Sequence, residues 1–127
     1  MPMTDNDKIS LESLKLQLRE FAADRDWDQF HSPKNLASAL TVEAAELLEH
    51  FQWLTEEQSG HLPADKRTAV SHELADVLLY LLQIADKLQI DLVAAAEDKL
   101  RLNASKYPAA QVQIGRASCR ERVYHPV

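Results

Sequence analysis

Glycine is almost missing from this chain. Of its 127 residues only Gly60 and Gly115 are glycine, and only Cys119 is cysteine. A lone cysteine rules out an internal disulfide and fits a reducing compartment, so a cytoplasmic setting is expected. Long apolar runs are lacking too; none approaches the ~18 residues of a membrane-spanning helix. Residues 1–8 are polar and acidic, which does not read as a signal peptide. A basic excess is also absent. The net charge is −6, which argues against nonspecific binding to nucleic acid. An acidic protein that handled a polyanion would need a metal between the two.

What is present is helix chemistry. Ala, Leu, Glu, Lys and Gln dominate, and 46% of the residues are hydrophobic, enough for the core of one domain. Residues 1–9 read as a flexible leader. Ser10 is the expected N-cap of a first helix reaching about residue 26, with Leu11, Leu14, Leu18, Phe21 and Ala22 as its apolar stripe. Residues 24–31 break the period and read as a connection. Ser32 then caps a second helix with Pro33 at its first position, running to about Trp53. Residues 55–62 read as a loop. Pro63 opens a third helix to about Leu88, with Val70, Leu74, Val77, Leu78, Leu81, Ile84, Ala85 and Leu88 at helical spacing. Asp91 caps a fourth helix ending near Ser105, before Tyr107-Pro108. Four helices on short links predict an all-α four-helix bundle over residues 10–108.

Two of these helices carry acids in an unusual place. At about 100° per residue, Leu36, Leu40, Ala44, Leu47, Phe51 and Leu54 share an arc, and Glu43 falls inside its margin with Glu46 beside it. On the third helix Glu73 and Asp76 repeat the pattern at the edge of the apolar face, next to Tyr80. Carboxylates three residues apart sit roughly 5–6 Å from each other and repel. Partial burial adds a cost of several kcal/mol per ion. A bound cation is the simplest offset, and hard oxygen ligands suit Mg²⁺, with Mn²⁺ as a substitute. The plain alternative is a solvated acidic stripe.

The end of the chain breaks from the rest. Residues 109–127 lack an apolar period, and the segment from about residue 114 turns sharply basic. Residues 114–123 back-translate, in frame, onto a common short-read sequencing adapter. The expectation is a non-native tail, in which Cys119 carries no functional information.

The stretches 25–36, 43–53, 73–80 and 99–108 together carry a likeness to a known family. In order and without large gaps, over roughly residues 10–110, the chain resembles the MazG-like nucleotide pyrophosphohydrolases, in the small all-α branch that includes the dCTP pyrophosphatases. The resemblance implies hydrolysis of a (deoxy)nucleoside triphosphate to monophosphate and diphosphate, in nucleotide-pool housekeeping. It implies Mg²⁺ held by the E-x-x-E and E-x-x-D acids, which match Glu43, Glu46, Glu73 and Asp76. It implies a homodimer or homotetramer with nucleotide sites drawing on more than one subunit. Positions near the base and sugar match Trp27, His31, Asn35, Trp53 and Tyr80. Positions toward the phosphates match Lys34, Lys99, Asn103 and Lys106. Water would attack the α-phosphorus, with either Glu46 or Glu49 accepting its proton. The chain departs from the pattern twice. Vertebrate dCTP enzymes have His where this chain has Leu18, so a cytosine preference is not implied. Relatives also continue past Tyr-Pro with a basic segment that the tail replaces here.

Two other functions compete. A di-iron carboxylate bundle wants E-x-x-H pairs on facing helices, and neither acid pair has His at that position. A non-enzymatic helical interaction module would release no diphosphate from any dNTP.

Overall fold

A computed structural model describes residues 10–109. All the regular structure among them is helical: α1 (Leu11–Asp24), a 3₁₀ turn (Asp28–Phe30), α2 (Pro33–Glu49), α3 (Glu56–Ser59), α4 (Ala64–Lys87) and α5 (Leu92–Lys106). The expected leader and all but the first residue of the expected tail lie outside the described residues. The chain divides into two compact units, Met1–Ile90 and Asp91–Val127. No described helix is long and apolar enough to cross a membrane.

The starts of the helices are where side-chain chemistry puts them. Ser10 and Ser13 form a reciprocal capping box at α1. Ser32 accepts from the Asn35 backbone N–H ahead of Pro33. Pro63 precedes α4. The Asp91 side chain accepts from the Ala94 N–H at α5. Each satisfies or removes donors that a helix start leaves orphaned.

The ends of α1, α4 and α5 fall within two residues of expectation, and α2 ends four residues early. Both α1 and α4 close with a Schellman motif built on a non-glycine residue. At α1, Asp26 takes φ 53°, and the N–H groups of Asp26 and Trp27 bond the carbonyls of Ala23 and Ala22 at 3.2 and 2.9 Å. At α4, Gln89 takes φ 56°, and Gln89 and Ile90 bond back to Asp86 and Ala85 at 3.2 and 2.8 Å. Glycine normally marks this position; here Asp26 and Gln89 fill it, and the expected ends lie two and one residues beyond the observed ones. Helix α2 stops at Glu49, not Trp53, because the N–H groups of His50, Phe51 and Leu54 bond three residues back. The expected loop at 55–62 holds the one-turn α3, capped by a Thr55/Gln58 box.

In the first unit, α2 and α1 both pack on α4. The buried core is small: Ala22 from α1, Leu36 from α2, and Val70, Leu82 and Ala85 from α4. Leu36, only 1% exposed, is the central contact; burying such a side chain contributes about 1.5–3 kcal/mol. The core expectations for α4 are corrected at four residues. Leu82, outside the expected stripe, is buried, while Leu74, Leu81 and Leu88 are exposed. These three recur every seven residues and so form a separate stripe. Periodicity marks a residue as apolar-facing but does not say whether its own chain covers it.

Two ion pairs fix the neighbouring elements to the end of α4. Arg19 on α1 grips Asp86 with two parallel hydrogen bonds, the Nε–Oδ2 one at 2.7 Å. That fork holds the Asp86 carboxyl below the usual range. Lys87 pairs with Asp28 and ties the 3₁₀ turn to the last turn of α4. The Asp28 pair thereby ties the segment carrying Trp27 and His31 to α4.

Candidate active site

The acids flagged by their place on the helical arc converge. One carboxylate oxygen from each of Glu43, Glu73 and Asp76 lies within 4.8 Å of the others. Helix α2 supplies the first and α4 the other two, so the cluster is a direct product of α2 packing on α4. All three side chains are half-buried. Oε2 of Glu43 and Oε2 of Glu73 are buried without a hydrogen-bond partner among the described residues. Two ionised carboxylates facing each other contain no proton to share, which leaves both as acceptors without a donor.

Protonation is the cluster's own partial remedy. The Glu43 carboxyl is pushed up to about 7, first by burial and then by Glu73 and Glu46 within hydrogen-bonding reach, with Asp76 adding repulsion. Glu46 thus adjoins Glu43, outside the tight group of three. Burial, with the charges of Glu43, Asp76 and Glu46, raises the Tyr80 phenol above its ordinary value. Like charges held this closely favour a neutral form or a cation among them. The orphaned oxygens and the all-carboxylate donor set fit a hard divalent ion. The cluster also pairs acids with acids, with no His in the group that the di-iron alternative would need.

A cavity of about 200 Å³ opens beside the acids, and Glu43 and Asp76 form part of its wall. The rest includes Leu18, Phe21, Trp27, His31, Tyr80 and Gln83. The Trp27 ring meets Phe21 edge-on at 5.6 Å and His31 at 6.4 Å. Trp27 stands one residue beyond the left-handed Asp26, so the Schellman closure of α1 sets its backbone position. Asp76, Leu79, Tyr80 and Gln83 lie three, four and seven residues apart and present one face of α4 to the cavity. The arrangement combines a slot for a flat ring with a cluster that demands positive charge.

The other expected residues are placed less centrally. Asn35 donates its side-chain N–H to the Phe30 carbonyl at 2.9 Å, and so braces the loop behind Trp27. Lys34 is exposed in the first turn of α2; the helix dipole is already positive there, which favours an anion nearby. Trp53 is 87% exposed. Lys99, Asn103 and Lys106 lie on α5 in the second unit, with Lys106 Nζ 5.5 Å over the Tyr107 ring. Sequence reasoning missed Gln83 in the cavity wall. It also missed the Arg19–Asp86 pair, whose partners lie 67 residues apart; no local spacing signals such a contact.

Comparisons with known proteins agree with this picture. Residues 39–115 match the MazG-like family. The chain is 41% identical to dCTP pyrophosphatase 1 of Homo sapiens over 114 residues, which is 88% of this chain and 65% of that protein. It is 40% identical to dCTP pyrophosphatase 1 of Mus musculus over 119 residues, 92% of this chain and 68% of that one. The chain therefore spans about two thirds of the length of these curated relatives. Among solved structures, a pyrophosphatase from Archaeoglobus fulgidus superposes with a TM-score of 0.73 at 39% identity, covering 80% of this chain and 99% of that one.

Proposed function

The chain belongs to the MazG-like family, and on that premise we propose that it is a cytoplasmic nucleoside triphosphate pyrophosphohydrolase. It converts a (d)NTP and water to the (d)NMP and diphosphate. The observation that carries this is the shared wall: Glu43 and Asp76 belong both to the acid cluster and to the aromatic-lined cavity. A base lying against Phe21 and Trp27 in this cavity would have the acids within reach of its phosphates. Phosphate and carboxylate repel, so that juxtaposition makes chemical sense for a polyanion only with a cation between them.

We assign the cation as Mg²⁺, held by Glu43, Glu46, Glu73 and Asp76. When bound it supplies positive charge against the phosphate oxygens and acidifies water for attack on the α-phosphorus. The chain's own residues do the rest. Phe21 and Trp27 present ring surfaces to the base. His31 and Tyr80 offer polar groups at the cavity edge, and Trp53 adds a stacking face. Either Glu46, beside Glu43, or Glu49 is assigned to accept the proton released by the attacking water. Lys34, Lys99, Asn103 and Lys106 are assigned to the phosphates from the family pattern. Glu43 must give up its proton to serve as a ligand, so cation affinity is expected to rise with pH through about 7.

We also propose that the working form is a homodimer or homotetramer. Leu48, Leu74, Leu81 and Leu88 are large apolar side chains left exposed. The buried core that accompanies them is five residues among those described. A second copy is the expected cover.

The test is a panel of normal and modified dNTPs with Mg²⁺, scored for released diphosphate. The wild-type protein should turn over at least one of them, and Glu73→Gln should lower turnover by roughly a hundredfold or more. No release from any nucleotide, or wild-type turnover by Glu73→Gln, would overturn the proposal.

A further inference from the structure

Leu18 and Gln83 meet in the wall of the same cavity, one from α1 and the other from α4. Leu18 brings no polar atom to that wall. The polar side chains there are Glu43, Asp76, Tyr80, His31 and Gln83. Two of these belong to the acid cluster, and Tyr80 lies one helical turn from Asp76 and feels its field. Gln83 lies seven residues beyond Asp76, about 10 Å farther along the helix. Of the α4 side chains in that wall it is the one farthest along the helix from Asp76, and it is half-buried.

The state of this amide is specific. Its Nε2 donates to the Leu79 carbonyl at 3.3 Å, a long bond within one turn of its own helix. A flip of the amide would set Oε1 against that carbonyl, oxygen to oxygen, so the flipped form is disfavoured. The orientation that keeps the bond leaves Oε1 as the free acceptor. Among the described hydrogen bonds Oε1 takes part in none. A half-buried free acceptor in the wall of a cavity lined by Phe21 and Trp27 can take an N–H on the edge of a heterocycle.

We infer that Gln83 is a specificity-determining residue that reads the nucleobase, its Oε1 accepting a hydrogen bond from an exocyclic amino group or ring N–H of the base. The inference rests on the pyrophosphohydrolase reading of the site and extends it to base selection. It requires no charge on the base and no protein rearrangement.

The test uses the full chain with Mg²⁺ and the four dNTPs, comparing wild type with Gln83→Met, which keeps the length and removes the amide. Gln83→Met is expected to raise KM for the preferred nucleotide about tenfold, with a smaller change in kcat, and to flatten the preference among bases. A second arm needs no variant. The preferred nucleotide is compared on wild type with its analogue dimethylated at the donor nitrogen, or methylated there if the donor is a ring N–H. The analogue should lose about tenfold in kcat/KM on wild type and little on Gln83→Met. If wild type turns over dNTPs but Gln83→Met keeps the same base preference, or the analogue serves wild type equally well, the inference is wrong and the activity stands. If wild type turns over no dNTP, the activity falls and takes the inference with it.

Discussion

Glu43→Gln should make the metal-free protein more stable, and increasingly so as the pH rises. In the folded cluster Glu43 keeps its proton up to about 7, against an ordinary 4.5. Between those values the folded state binds more protons than the unfolded chain. Stability therefore falls as pH climbs through that window and levels off above it. Glutamine has nothing to lose there, and its amide can donate to Glu73 or Glu46, so the variant should lack this part of the slope. The interval corresponds to a ceiling of about 3 kcal/mol, which screening in a half-exposed cluster lowers to about 2 kcal/mol. For a domain of this size that is roughly 10 °C in Tm. The assay is urea unfolding with a chelator, from about pH 5 to about pH 8, at one fixed protein concentration so that any self-association enters both proteins' stability alike. Saturating Mg²⁺ should then reverse the order, since wild type gains binding energy that the variant largely loses. Parallel pH slopes for the two proteins, or a Glu43→Gln protein less stable than wild type without metal at about pH 8, would refute the repulsion on which the metal assignment rests.

Other perturbations separate packing from function. Asp86→Asn should lower Tm at neutral pH by loosening the Arg19 fork; because that pairing depresses the Asp86 carboxyl, the wild-type advantage should be present above the ordinary carboxylate range and vanish as pH falls through the depressed value, as thermal melts across acid pH would read. Gln89→Gly should stabilise by about 1 kcal/mol, measured by urea unfolding, since residue 89 sits at φ 56°, where a side chain is disfavoured. Trp53→Ala should leave the melt of the isolated chain nearly unchanged, its ring being 87% exposed, yet raise KM for the preferred nucleotide about tenfold if a base stacks there.

The sequence showed helix starts better than helix ends. Ser10, Ser32-Pro33, Pro63 and Asp91 announce themselves because a capping side chain or a proline acts within three residues of its own position. Asp26 and Gln89 end their helices by backbone conformation, and neither residue type advertises a left-handed φ as glycine would. The Thr55/Gln58 box was readable but marks a helix of only one turn. Glu43, Glu73 and Asp76 were legible because a charged residue inside an apolar arc is a local contradiction that spacing exposes. Gln83 was not, since glutamine at the edge of an amphipathic helix is unremarkable until Leu18 and Trp27 are placed opposite it. The exposed stripe of Leu74, Leu81 and Leu88 failed for a different reason: an apolar face that its own unit leaves uncovered has the same period as a core.

The most direct measurement is an isothermal titration of the metal-free protein with a dNTP analogue that cannot be hydrolysed, run with and without Mg²⁺. If inward-facing carboxylates from α2 and α4 are drawn together by a cation that also meets a triphosphate, Mg²⁺ should tighten nucleotide binding by more than tenfold, and Glu73→Gln should abolish most of that gain. Equal affinity in the two buffers would contradict it.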